Sequence, residues 1–357
     1  MKKILCVFLS VLLLVPFCVS AQAEQTSGTL KMLAYNVSGI PLVGNFQGSV
    51  FTLTNDRAAK IGALLNGTDA DFISVEEDFN AHRYLDAEMN AFPYRSFTSG
   101  GLALGQGLNI FSRRGIYNVR RIKWLEHFGT VSGSADALAN KGFLYCLAEI
   151  ADGVYIHVIT VHCDAGYEPL SVRARAAQFR QLALFINEEL DDGRAIIVQG
   201  DFNFKFKREK KDDLVGNLLK PTGLIDVWAE LAGSALDTAD PAFARDAEGD
   251  ELDRVLYRSG RDVTLTPLSR TEPPLTGENG ETYTDHDPML VEFAYTVGEP
   301  VEAPLLLVEP LPEDPVRLVL REILWTVARI FQAVFGIIEL PYLIYQGVDL
   351  LVNGKLP

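Results

Sequence analysis

Apolar and polar side chains alternate over residues 30–37, the period-two pattern of a strand with one buried face. Asn55 then stands where a helix cap belongs, ahead of a helix predicted over 56–65 and closed by Asn66-Gly67. Residues 72–75 form a short apolar run that delivers Glu76 and Glu77. Residues 108–111 and 143–150 read as strands, and the second pairs through Asp152-Gly153 with 154–161 as a hairpin. A helical period covers 172–189 and stops before Asp191-Asp192-Gly193. Residues 195–199 lead into Gly200-Asp201-Phe202-Asn203, and 252–257, 263–267 and 289–293 are further strands. Strands alternate with helices, yet hairpins are frequent, so the pattern predicts an α/β (α+β) domain with mixed sheets and no internal repeat.

The ends of the chain have a different texture. Met1-Lys2-Lys3, an apolar run over 4–17 and Val19-Ser20-Ala21-Gln22-Ala23 have the form of a secretory signal, cut after Ala23 or Ala21. Phe17 is too bulky for Cys18 to serve as a lipoprotein acceptor. Five prolines and several glutamates make 297–315 a semi-rigid linker between a main domain at 29–296 and an apolar helical segment at 316–352. That last segment has three readings: a helix docked on the domain or on a second copy, an amphipathic helix in a membrane interface, or a spanning helix. Arg329 and Glu339 fall inside any window long enough to span, which counts against the third.

Composition narrows the chemistry. With 48% hydrophobic and 22% charged residues, the 357-residue chain can bury a sizeable core. Its formal charge is −15 and grows more negative once Lys2 and Lys3 leave with the signal, which counts against a polyanionic partner. Cys146 and Cys163 remain after cleavage, on hairpin positions that do not face each other, and are expected as free, buried thiols.

Four polar motifs follow apolar runs: Tyr35-Asn36, Glu76-Glu77-Asp78, Gly200-Asp201-Phe202-Asn203 and Thr284-Asp285-His286-Asp287. Oxygen-bearing side chains at strand ends suit a hard cation, and phosphate chemistry needs a positioned water beside balanced negative charge. Each motif also has a plain structural reading. Acids commonly end strands, Gly-Asp-Phe-Asn can be an Asx-turn cap, and Thr284 to Asp287 follows a Gly- and Pro-rich loop. Asp253 sits inside an apolar run and needs a partner, for which His286 is the candidate. His162 ends the run 158–162 as a general-acid or phosphate-binding candidate. His157 lies on the opposite strand face and reads as structural, and His127 has no informative context.

Asn36, Glu77, His162, Gly200-Asp201-Phe202-Asn203, Leu252-Asp253 and Asp285-His286, in this order, resemble the endonuclease/exonuclease/phosphatase superfamily over about 30–293. The resemblance implies a four-layer α/β sandwich of two mixed sheets flanked by helices. It implies a metal side formed by Asn36, Glu77 and Asp285, taking Mg²⁺, with Mn²⁺ or Ca²⁺ as alternatives. It implies Asp201 as the water-activating acid with Asn203 as its amide partner. His286, held by Asp253, and His162 are the implied phosphate-side histidines. One departure stands out: Glu76 occupies the place where the pattern usually has Gln, either silently or as added negative charge for the cation.

His162-Cys163-Asp164-Ala165-Gly166 with Arg173, Arg175 and Gln178 is similar to the sphingomyelinase-like branch, as is Lys141-Gly142-Phe143 at the start of a strand. Glu77-Asp78-Phe79-Asn80-x-His82 is similar to secreted members, leaving His82 either lining the site or on a helix surface. The implied activity is an exported, metal-dependent phosphodiester hydrolase acting on phospholipid headgroups, with membrane-surface contact through 316–352. The alternatives are a secreted deoxyribonuclease-like endonuclease, for which Arg113, Arg114, Arg120 and Arg121 are candidate basic residues, a phosphomonoesterase acting on inositol phosphates, and a non-catalytic surface-binding member.

Overall fold

The computed structural model of the protein describes residues 27–302 and 305, apart from 40–43, 46–48, 50–51, 80, 97–104, 129–138, 207–211 and 233–249. The signal sequence and the C-terminal apolar segment read from the sequence lie outside these residues. The strands are β1 (Ser27–Asn36), β2 (Gly44–Asn45), β3 (Thr52–Leu53), β4 (Phe72–Glu76), β5 (Tyr94–Arg95), β6 (Asn109–Ser112) and β7 (Ile116–Lys123). They continue as β8 (Gly142–Ala151), β9 (Val154–His162), β10 (Ile196–Asp201), β11 (Ile225–Asp226), β12 (Asp253–Arg258), β13 (Val263–Thr271) and β14 (Met289–Val297). The helices are α1 (Thr54–Asn66), α2 (His82–Glu88), α3 (Pro169–Glu189), α4 (Lys220–Thr222) and α5 (Val227–Leu231).

Two six-stranded mixed sheets stack face to face, in the orders β13-β14-β1-β4-β6-β5 and β11-β12-β10-β9-β8-β7. Between them lies one apolar cluster, with Leu30, Met32, Phe72, Ile110 and Phe293 from the first sheet against Leu144, Ile156, Val158, Ile197 and Val255 from the second. Leu33, Tyr35, Ile73 and Val75, on the other face of the first sheet, pack with Ile61, Leu65 and Leu85 of α1 and α2. Ile159, Val161, Ile196 and Val198 of the second sheet pack with Phe179, Leu182 and Ile186 of α3. These are the four layers of the expected sandwich.

Period-two alternation then determines what occupies the catalytic pole. The residues between the sheets have the parity of Met32, Phe72, Val158, Ile197 and Val255, so the same strands carry Asn36, Glu76, His162, Asp201 and Asp253 into the inter-sheet space. One layer below, Gln199 Nε2 donates to Ser74 Oγ at 2.9 Å and to the Leu33 carbonyl at 3.1 Å, tying the sheets together. The interior therefore grades from apolar through amide and hydroxyl to acid and imidazole along the strand direction.

The parallel pairings β1–β4 (Asn36↔Glu76) and β9–β10 (His162↔Asp201) place both sheets' chemistry at one end. Ser27 pairs with Thr296 at the other end, about 30 Å away at some 3.3 Å per strand residue. Both termini of the described domain leave from that opposite pole. Cys146 and Cys163 are free and buried, as expected. Among the described residues no helix is long and apolar enough to cross a membrane.

The strand β7 escaped sequence reading because most of its residues are half-exposed and alternate poorly. Helix α2 has only seven residues, too few for a period to register.

Candidate active site

Gly200 is needed where β10 turns into the site. Its φ of 128° lies in glycine's region, and a Cβ there would collide with the Val161 carbonyl oxygen. Phe202 then turns into the α3 core, while the Asn203 amide N–H donates to Asp201 Oδ1 at 2.7 Å. The Asx turn of the plain reading is thus present, and it orients the acid. Asn36 Nδ2 donates to Asp201 Oδ2 at 3.1 Å and to Glu77 Oε1 at 3.2 Å. Its own oxygen accepts from the Ser38 amide at 2.9 Å, so Asn36 fastens the two carboxylates together. Asn203 Nδ2 donates to the Cys163 carbonyl at 3.1 Å.

Two histidines converge on Asp201 Oδ2. His162 Nε2 lies 3.6 Å away and His286 Nε2 3.9 Å away. Their environments push them apart. His162 is buried, neither ring nitrogen has a partner within hydrogen-bond distance, and burial followed by Lys141 holds it well below the ordinary histidine value. His286 is 2.7 Å from Asp253 Oδ2 through Nδ1, the contact expected from the sequence. Burial alone would lower it, but the Asp253 hydrogen bond and charge, with Asp201 and Asp285, raise it to about 10. Burial and Asp201 raise Asp253 to about 6 against the pull of His286. Their environments thus shift the two imidazoles in opposite directions from the ordinary histidine value.

Glu77 follows β4 in a left-handed conformation, φ 56°, and burial raises its carboxyl against the opposing effect of Lys141. Asp285 is exposed and accepts from Ser38 Oγ. Asp201, Asp253 and His286 also bring one ligand atom each within 4.8 Å of one another. Five carboxylates in one pole, those of Glu76, Glu77, Asp201, Asp253 and Asp285, three of them raised, fit a divalent cation with oxygen ligands. Glu77 and Asp285 would supply those oxygens, and the chemistry gained is Lewis-acid offset of phosphate charge.

Glu76 resolves as a silent replacement. It is fully buried, and neither oxygen has a hydrogen-bond partner within bonding distance. Burial, then Asp253 and Asp201, raise it well above 4.5. The neighbouring Ser74 hydroxyl, which accepts from Gln199 and keeps its own proton to donate, favours the charged form, but burial, Asp253 and Asp201 outweigh it. A protonated carboxyl has the shape and neutrality of Gln. The folded chain then holds this proton more tightly than the unfolded chain, which costs stability as pH rises above about 4.5. Glu76→Gln is expected to melt higher than wild type by a margin that widens from about pH 5 to pH 8, with turnover close to wild type. Thermal melts at several pH values would show it, and a constant margin would mean that Glu76 is ionised.

The structure corrects two readings. His82 neither lies on a helix surface nor faces the histidines. It is buried, with Nδ1 2.5 Å from Asp78 Oδ2 and near Asn109 Nδ2 at 3.1 Å. The four candidate basic residues form no patch beside Asp201. Arg113 donates to the Ala70 and Thr68 carbonyls, Arg114 pairs with Asp152, Arg120 with Glu189, and Arg121 donates to the Leu108 carbonyl. His157, by contrast, is structural as read, between Tyr145 and Asp192 at 3.0 Å each. The segment after His162 is held by Arg175, which donates to the Asp164 and Gly166 carbonyls and pairs with Asp212 at 2.9 Å. Arg57, Ser38 and Trp124, whose Nε1 donates to the His162 carbonyl at 2.8 Å, went unread because none belongs to a strand-end motif.

The fold and site together define a deoxyribonuclease-like α/β sandwich with an acid–histidine pole. Residues 101–236 match the family model described as Endonuclease/Exonuclease/phosphatase family 2. A sphingomyelinase of Mycobacterium tuberculosis is 29% identical over 289 residues, covering 78% of this chain and 55% of the relative. The chain therefore spans about half the length of the curated relatives it matches. Sphingomyelinase C from Streptomyces griseocarneus shares the fold, with a TM-score of 0.51 at 20% identity over 74% of this chain and 99% of that one. D. rerio TDP2 complexed with a single-strand DNA product gives 0.53 at 18%, over 74% and 99%. The chain is thus similar to the endonuclease/exonuclease/phosphatase family, sphingomyelinases among its relatives.

Proposed function

We propose that the protein is an exported, divalent-cation-dependent phosphodiester hydrolase that cleaves phospholipid headgroups. The observation that carries the reading is the convergence on Asp201 of two histidines in opposite surroundings, one buried without a hydrogen-bond partner and one bonded to Asp253. Asp201, fixed through both oxygens, takes a proton from water as the water oxygen forms a bond to phosphorus in line with the leaving group. The bond from phosphorus to the leaving oxygen breaks, and His286, as imidazolium, gives that oxygen its proton. Asp253 keeps His286 charged and oriented. His162, neutral, donates one N–H to a phosphoryl oxygen. Mg²⁺, with Mn²⁺ or Ca²⁺ as alternatives, fits beside Glu77, Asp285 and Asn36.

Three observations favour lipid over nucleic acid: the −15 formal charge, the engagement of all four candidate arginines elsewhere, and the sphingomyelinase among the relatives. The residues 316–352, if they meet the membrane, are tethered from the pole opposite the site. The 298–315 linker, extended at ~3.1 Å per residue, is long enough to bring them round.

The testing experiment pairs Mg²⁺ with EDTA on sphingomyelin and phosphatidylcholine vesicles and on plasmid DNA. EDTA-sensitive phosphocholine release is the expected result. Nicked plasmid with intact lipid would replace the substrate by DNA. Turnover of none of the three by a protein that binds Mg²⁺ would point to the non-catalytic surface-binding alternative.

A further inference from the structure

Beside the catalytic pole lies a polar knot that the hydrolytic steps do not use. Ser38, just past β1, is 3% exposed and has φ 46°, a left-handed conformation that serine adopts only when its surroundings enforce it. Each of its polar atoms is engaged. The amide donates to Asn36 Oδ1 at 2.9 Å and the hydroxyl to Asp285 Oδ1. The carbonyl accepts from an Arg57 Nη at 2.6 Å, and Thr284 Oγ1 donates to Ser38 Oγ at 3.1 Å. Arg57, on the first turn of α1, is 1% exposed, and its guanidinium lies within electrostatic reach of Glu77 and Asp285. At the next residue, a Cβ on Gly39 would collide with the Glu77 carbonyl oxygen, so this segment presses directly on the Glu77 backbone. One residue thus links β1, α1, the Glu77 turn and the loop before β14, which otherwise come from distant parts of the chain.

We propose that Ser38, locked by Arg57, is the positioning residue of the cation cradle, holding Asp285 at a set orientation relative to Glu77 and so setting the affinity for a hard divalent cation. Asp285 is exposed, and among the described residues its hydrogen bond is to this hydroxyl. Without it, the carboxylate samples rotamers, and the cation must supply the ordering entropy on binding. The inference rests on the phosphodiesterase reading for the presence of the cation, and goes beyond it in assigning what tunes the binding.

Calorimetric titration of Mg²⁺ into the metal-free full chain tests it, with wild type, Ser38→Gly, Ser38→Ala and Arg57→Lys compared and thermal melts in EDTA run alongside. Glycine suits φ 46° and removes the hydroxymethyl group without backbone strain, so Ser38→Gly should melt close to wild type yet bind Mg²⁺ on the order of tenfold more weakly. Ser38→Ala should show the same loss with a lower melting point, because alanine strains there. Arg57→Lys keeps the charge but loses the planar fork and should weaken binding in the same direction. The Mg²⁺ concentration for half-maximal turnover should rise by the same factor, while KM for lipid at saturating Mg²⁺ stays put. Wild-type Mg²⁺ affinity in folded Ser38→Gly overturns the positioning role alone. No Mg²⁺ uptake by wild type overturns it together with the reading beneath it.

Discussion

Asp201→Asn is expected to lower kcat/KM by about a thousandfold or more, the scale of losing a positioned general base, which is about 4 kcal/mol in the transition state. The fold should survive. Asparagine keeps an oxygen for the Asn203 amide, which donates to Asp201 Oδ1 in the wild type. It also removes one negative charge from a pole shared with Glu76, Glu77 and Asp253, which offsets the acceptor that Asn36 Nδ2 loses at Oδ2, so the melting temperature should stay near wild type. Steady-state turnover beside a thermal melt separates these effects. An inactive and unfolded variant would leave the role to Asp201→Glu, which keeps the charge and misplaces it and should be nearly as inactive. Near-normal turnover in folded Asp201→Asn would sink the assignment of the base.

His286 should make both stability and activity fall at alkaline pH. Its folded value of about 10 lies above the ordinary 6.5, so the folded chain binds this proton more tightly than the unfolded one. The stability gained is fully present below about pH 6.5 and is lost as pH rises towards about 10. Melts in EDTA should therefore show wild type losing its advantage over His286→Gln across that window. Turnover should be near zero in His286→Gln, and in wild type it should decline on an alkaline limb, since only the imidazolium can protonate the leaving group. Bound Mg²⁺ opposes the imidazolium charge, so the limb should move to lower pH as the cation saturates. A stability difference flat from about pH 6 to 10 would mean that His286 is neutral when folded.

Much of the fold was legible because strands that bury both faces leave an apolar signature in the chain. β4, β9, β10 and β12 are four such strands, and the polar residue that ends each apolar run marked the site. The pairing of Asp253 with His286 was legible for a related reason: an acid inside an apolar run has few ways to be satisfied. Ser38 and Arg57 were not legible, since a serine in a loop and an arginine on a helix are ordinary until the fold buries them on one another. The same holds for the opposite states of His162 and His286, which no local pattern encodes. The four arginines named for the nuclease alternative could not be placed from the sequence, because an arginine's partners are set by the fold, and backbone carbonyls and scattered acids engage all four.

What the chain determines by itself is therefore the alternation, the strand ends and the residue types placed there, because side-chain direction on a strand is a local matter of parity. Which ends meet, which groups lose water and which acids come together were decided only when two sheets closed face to face. Burial and like-charge proximity are properties of that closure. They alone raise the Glu76 carboxyl, hold His162 below the ordinary histidine value and, with Asp253, raise His286 above it.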